Sequence, residues 1–326
     1  IGVGRFPVTT ISQARDAVDK VIGYMDNADA GAVVKGSVDA KTGIPIRSRY
    51  DGGTRRPSDE AMNLFDILLV DMQDVGLRFY TYYISMIRMI DACADFSRKV
   101  IVLDRPNPNG FYVDGPILDM KRYKSGVGWA PIPVVHGMTL GEIAMMANGE
   151  GWLTDGRKCE LTVVRCKNYT HQTKYELPIA PSPNLRDMKA IYLYPSTCYF
   201  EATPVSLGRG TDKPFLVYGH PNMLGYDFSF TPRSVDGAKN PPLKDQKCYG
   251  VDLRGIEDED VIAAGFNLEY VIDSTNLCDD YTRNKIRHKI LTYASQEICE
   301  GSVHHLGKTA EIMQELEDFV QNQTAK

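Results

Sequence analysis

Phe65-Asp-Ile-Leu-Leu-Val70 is a short, almost continuous apolar run, of the kind that forms a strand buried on both faces of a sheet. Asp71-Met-Gln-Asp-Val-Gly76 follows, then a helical pattern from about Phe79 to Phe96, then a second apolar run, Val100-Ile-Val-Leu103. That order is a β-α-β unit, which makes the two strands parallel and brings their carboxyl ends to one edge of the sheet. Asp71, Gln73, Asp74 and Asp104 are expected to gather at that edge, where open α/β sheets bind their ligands.

Outward from this unit, Pro131-Ile-Pro-Val-Val135 leads through His136-Gly137-Met138 into a helix expected from Thr139 to about Asn148, ended by Gly149-Glu-Gly151. Leu161-Thr-Val-Val164 reads as a strand opening a new set of elements. The composition turns rich in Pro, Asn and Gly from Pro178 onward. A boundary near Gly156 therefore divides the expected fold into residues 1–156, a Rossmann-like unit with a parallel sheet, and residues 157–326, a smaller α/β unit that completes a cleft. Strands are expected around Ile191–Leu193 and Cys248–Leu253, with a helical tail from about Asp279 to Asn322. The acidic stretch Glu257–Asp260 suits a solvated helix start.

Several function classes drop out on composition. The chain has 326 residues, 43% hydrophobic and 24% charged, and a formal charge of −5 with no long basic run, so it carries no electrostatic footprint for nucleic acid. No apolar stretch approaches the ~20 residues that span a bilayer, and the N-terminus lacks the basic and apolar regions of a signal peptide. The seven cysteines show no C-x-x-C pair. Free thiols are the expected state, and Cys159 with Cys166 is the pair that an oxidising compartment would bridge. Glycine-rich nucleotide loops fail at Pro7 and Pro131, the six histidines show no zinc-ligand spacing, and G-x-S-x-G is absent. No cofactor and no metal is implied.

What remains is a set of carboxylates, amides, arginines and aromatics at strand ends and loops, a mix that suits a carbohydrate. Cleavage of a glycosidic bond usually needs two carboxyl groups flanking it, although some enzymes use the sugar's own acetamido group. Asp74, with Arg78, Tyr80 and Tyr82 just beyond the first strand, is either catalytic or a helix cap. Asp104-Arg-Pro-Asn-Pro-Asn-Gly110 is a stiff loop that either holds Asn107 and Asn109 toward a ligand or is a plain turn, with Asp104 paired to Arg105 or a backbone amide. Thr139-Leu-Gly-Glu142 is a capping-box sequence, which makes Glu142 structural. His136 projects into the cleft or satisfies a local carbonyl. Glu201 follows Tyr199-Phe200, an apolar setting suited to a general acid. Arg209, between two glycines, either grips a carboxylate with two prongs or pins the loop through Glu201.

Val70 to Tyr82, Leu103-Asp-Arg-Pro-Asn-Pro108, Pro133 to Glu142, Pro181-Ser-Pro-Asn184 and Glu201 to Pro214 together resemble the NamZ-type exo-β-N-acetylmuramidases, over a stretch from about Ala28 to Asn276. The resemblance implies a Rossmann-like domain, a smaller C-terminal α/β domain, and a cleft that releases terminal N-acetylmuramic acid from peptidoglycan fragments in the periplasm or outside the cell. On that footing Asp74 and Glu201 are the expected catalytic carboxylates. Arg78, Tyr82, Asn107, His136, Asn184 and Arg209 are expected to line the sugar site, with a small carbohydrate or muropeptide as the partner. A catalytically impaired sugar-binding protein with the same cleft is the alternative. Counting back from Gly31, Val21-Ile22-Gly23 stand where the family carries Glu-His-Gly, and the tail after about Cys278 departs from the family pattern.

Overall fold

The computed structural model describes residues 56–267. Val21, Ile22, the tail helix, Cys278 and Cys299 lie outside them. After a short helix α1 (Asp59–Met62) come β1 (Ile67–Val70), α2 (Tyr82–Asp95) and β2 (Lys99–Leu103), the expected β-α-β unit. β1 and β2 pair in parallel, with Leu68 opposite Val100 and Val70 opposite Val102. Leu68, Val70, Val100 and Val102 are all buried, as the continuous apolar runs demand.

Two expectations about the rest of the fold need correcting. Leu161–Val164, read as the start of the second unit, is β3, and it pairs in parallel with β2 through Val102 and Val163. It follows α3 (Leu140–Gly149), so a second β-α-β arrangement extends the first sheet in the order β1-β2-β3. Ile191–Leu193, read as a strand, lies inside the helix α4 (Met188–Thr197). The β-branched and aromatic residues and Pro195 mimic a strand with a breaker. The helix prevails because Asp187 caps its N-terminus by accepting from the Lys189 amide at 2.7 Å. Every residue from Ala190 to Thr197 is also buried. Pro195 has no N–H to donate to Ile191, and the carbonyl it leaves takes a bond from the Asn109 side chain instead, at 3.2 Å.

A second sheet is antiparallel, in the order β4 (Val217–His220), β6 (Cys248–Asp252), β5 (Phe228–Phe230). Helix α5 (Asp258–Ala264) begins on the acidic stretch, with Asp258, Glu259 and Asp260 in its first turn. The architecture is thus α/β, a parallel sheet with helices followed by a second, antiparallel sheet. Two apolar clusters hold it together. One joins the parallel sheet to α2 and α3. The other joins α4, β4 and Phe200 to Val75, Leu77, Val134 and Val135. The segment after β1 therefore leaves the first core and is buried in the second, and that crossing fixes the geometry of the residues at the sheet edge.

Among the described residues no helix is long and apolar enough to cross a membrane. Cys159 and Cys166 do not bridge each other, and Cys166 Sγ donates to the Asp104 carbonyl at 3.1 Å. Cys93, Cys198 and Cys248 are in no disulfide among the described residues, and burial pushes the Cys93 thiol up to about 12.

Candidate functional site

At the carboxyl edge of the parallel sheet, Gly76 is the hub. Its φ is +80°, and a Cβ there would stand 2.4 Å from Asn107 Oδ1, so only glycine fits between the two loops. Its amide donates to Asp74 Oδ2 at 2.8 Å, and its carbonyl accepts from the His136 amide at 3.2 Å. His136 Nδ1 accepts from the Met138 amide at 3.2 Å, which puts the proton of the neutral ring on Nε2. That nitrogen lies 3.4 Å from Asp74 Oδ2, and neither Nε2 nor Asp74 Oδ1 has a hydrogen-bond partner among the described residues. Asp74, Asn107 and His136 thus meet at this edge, where a concave site lined by them is the expectation. They do so in a buried knot, 3%, 1% and 3% exposed.

The stiff loop after β2 also points its amides inward. Asn107 Nδ2 donates to the Met138 carbonyl at 2.9 Å, and Asn107 Oδ1 accepts from the Asn109 amide at 2.9 Å. Asn109 Nδ2 bridges the Val75 and Ile191 carbonyls, which ties the sheet edge to α4. These amides satisfy backbone in place of a ligand: the Val75 carbonyl lies in the segment that crosses into the second core, the Ile191 carbonyl is the one Pro195 leaves open, and the Met138 carbonyl sits in the loop before α3.

Asp104 takes the backbone-amide alternative. It accepts from the Arg105 and Gly141 amides, and from Thr139 Oγ1 at 2.7 Å. Burial raises its pKa against the pull of those donors. Arg105 instead pairs with Asp71. Glu142 closes the capping box with Thr139 and also meets His171 Nε2 at 3.0 Å, so its structural role stands.

Arg78 is a correction to the expected sugar lining. It is buried, and its Nη1 donates to the Pro116 and Ile132 carbonyls at 2.8 and 2.7 Å. Burial lowers its pKa. It clamps the 113–132 loop onto the sheet edge.

Tyr80 donates to the Pro181 carbonyl at 2.8 Å, and its ring lies 4.5 Å from that of Tyr82, whose hydroxyl is 3.5 Å from the same carbonyl. Asn184 donates to the Gly237 carbonyl at 3.1 Å and joins two loops. Tyr80 also meets the Tyr194 ring edge-on at 6.2 Å, and the Tyr194 hydroxyl donates to Glu201 Oε2 at 3.3 Å. An aromatic path therefore leads from the buried knot to Glu201.

Glu201 sits in a 3-10 turn (Cys198–Ala202), its side chain 35% exposed, and Arg209 Nη2 donates to its Oε1 at 2.5 Å. The enclosed apolar setting expected for Glu201 is not what surrounds it: a tyrosine hydroxyl and a guanidinium do. Of the two readings of Arg209, the structure contains the loop-pinning ion pair, with the guanidinium also stacked on Phe215 at 5.0 Å.

An open groove of about 580 Å³ borders the same loop, and the sequence reading missed it. Its walls include Arg186, Lys213, Phe228, Phe230 and Arg233. The signal lay in Phe228-Ser-Phe230, whose alternation puts both rings on one face of a strand, and in Arg186 just after Pro181–Asn184.

Residues 20–189 match the family model described as the N-terminal part of the exo-β-N-acetylmuramidase NamZ, and residues 192–318 match its C-terminal part. The chain belongs to the NamZ family. The match runs past Asn276 to residue 318, so the tail keeps more of the family pattern than the motifs alone suggested. A curated relative, the peptidoglycan β-N-acetylmuramidase NamZ of Bacillus subtilis, is 42% identical over 218 residues, covering 65% of this chain and 51% of the relative. The chain thus spans about half the length of the curated relative it matches. Crystal structures of two DUF1343 family proteins from Bacteroides fragilis are similar. One is 65% identical with a TM-score of 0.68, over 73% of this chain and 65% of the other. The second is 28% identical with a TM-score of 0.57, over 68% and 62%.

Proposed function

We propose that this protein is an exo-acting β-N-acetylmuramidase, a glycoside hydrolase that releases terminal N-acetylmuramic acid from peptidoglycan fragments in the periplasm or outside the cell. The observation that carries this reading is the 42% identity over 218 residues to a peptidoglycan β-N-acetylmuramidase. The two units, one built on each sheet, would form the substrate cleft between them.

The geometry supports a division of labour between the two carboxylates. Glu201 is the one exposed enough to approach a glycosidic oxygen, with Tyr194 and Arg209 fixing its orientation. Asp74 lies behind the surface. With His136 and Asn107 it holds the loop after β1 rigid, so it positions the site and does not touch the sugar. Tyr82 and Asn184 shape the loops beside the aromatic path. Incubation with a chromogenic β-N-acetylmuramide, beside the N-acetylglucosamine analogue, tests the reading. Release from the muramide alone is expected, and release from neither would contradict it.

A second reading, a muramyl-sugar-binding protein without turnover, is favoured by Val21-Ile22 in place of Glu-His. It predicts binding of the muramide with no release, and a gain of release in Val21→Glu.

A further inference from the structure

The chain is acidic overall, yet the groove beside the 208–213 loop is lined by three cations, Arg186, Lys213 and Arg233, against one carboxylate, Asp212. Asp212 is already paired with Lys213 at 2.6 Å, so no carboxylate of the groove lining is left for the two guanidinium groups. Arg233 meets Asp245 at 3.4 Å in a pair more than half exposed on both sides. Such a pair contributes little and exchanges readily for a better partner. Arg186 is anchored through Nε to the Pro183 carbonyl at 2.5 Å, so its guanidinium is held in place by the loop that carries Asn184.

The same groove is walled by Phe228 and Phe230, two residues apart on β5, with ring centroids 6.0 Å apart and both residues half-buried. Aromatic faces flanked by guanidinium forks suit a ligand with an apolar ring face and a carboxylate. The backbone is shaped for close approach as well. Gly210 has φ +82°, and a Cβ there would meet the Arg233 carbonyl at 2.4 Å; that same loop carries Arg209, the partner of Glu201.

We propose that this groove, through Arg186 and Arg233, reads the carboxylate that distinguishes N-acetylmuramic acid from N-acetylglucosamine. The assignment rests on the muramidase reading and replaces the one that gives Arg209 this task. Arg209 spends its Nη2 on Glu201 and its face on Phe215, whereas the groove presents two cations whose protein partners are weak or backbone.

Calorimetry with N-acetylmuramic acid and N-acetylglucosamine, at low and high salt, tests the proposal on the wild-type chain, on Arg186→Gln/Arg233→Gln and on Arg209→Lys. Both groove arginines are exposed, so the double variant is expected to fold as the wild type does. It should lose about tenfold or more in affinity for the acidic sugar and less than about twofold for the neutral one, the difference made by a charged hydrogen bond. Salt should weaken only the binding of the acid. Equal losses for the two sugars, no loss, or a selective loss confined to Arg209→Lys would overturn the groove assignment while the muramidase reading stands. A wild-type chain that binds neither sugar and cleaves no muramide would overturn both.

Discussion

Two regions of this molecule carry motif residues of the same family, and they use them in opposite ways. Around Gly76, polar side chains are buried and spent on backbone: Asp74 on the Gly76 amide, Asn107 on the Met138 carbonyl, Arg78 on Pro116 and Ile132. Around Glu201, polar side chains stay partly exposed and pair with one another, beside a groove rich in cations. Polar residues at a sheet edge are therefore not ligand contacts by position alone. Where loops are buried at the sheet edge, their backbone groups need partners, and the motif supplies them.

The contrast is sharpest at Gly76. Replacing it with alanine imposes a left-handed φ on a Cβ that would overlap the Asn107 side chain, and the destabilisation should be about 2–4 kcal/mol. The urea unfolding midpoint measures it. A loss below ~1 kcal/mol would mean the knot is looser than its geometry implies.

Arg78→Met comes next. It keeps much of the apolar stem but leaves the Pro116 carbonyl without its donor and the Ile132 carbonyl with the Leu118 amide alone, for a loss of about 1–3 kcal/mol. Sugar affinity, measured in parallel, should change less than about threefold in the folded variant. A collapse of affinity with unchanged stability would return Arg78 to the sugar site.

The smallest effect belongs to the exposed His171–Glu142 pair. Burial opposes charge on His171, but the hydrogen bond and the charge of Glu142 outweigh it and raise the histidine pKa above 6.5. A raised folded-state value means that the stabilisation is fully present below about pH 6.5 and is lost as pH rises through the folded value. The pair is more than one-third exposed on both sides, so it contributes only ~0.3–0.5 kcal/mol. His171→Gln should be less stable than the wild type by that margin at pH 5.5 and indistinguishable from it near pH 9. A difference that persists at high pH would contradict the linkage.

Much of the first sheet was legible because its signals are local. Continuous apolar runs make buried parallel strands, and Thr139-Leu-Gly-Glu142 fixes a helix start within a residue. The departures come from tertiary context. Residues 188–197 are helical because burial on every side and the Asp187 cap outweigh β-propensity and Pro195. β3 belongs with the first sheet because α3 carries the chain back beside β2, which no window around 161–164 reveals. In the site, the convergence of Asp74, Asn107 and His136 followed from strand polarity. Their burial did not, since it depends on Val75 and Leu77 entering a core assembled mainly from residues beyond 185. Arg186, Phe228 and Arg233 escaped notice because the groove forms only when three loops and a short edge strand meet.

The most direct test of this division is steady-state hydrolysis of a β-N-acetylmuramide by Glu201→Gln and Asp74→Asn, each paired with its melting temperature. Glu201→Gln should lower kcat by about 100-fold or more, the scale of a lost acid or base, while its Tm stays within ~2 °C of the wild type. Asp74→Asn should lower Tm by several degrees and kcat by less than about tenfold, because it loosens the loop without removing a group that touches the sugar. Loss of turnover in Asp74→Asn at an unchanged Tm, together with an active Glu201→Gln, would contradict the account.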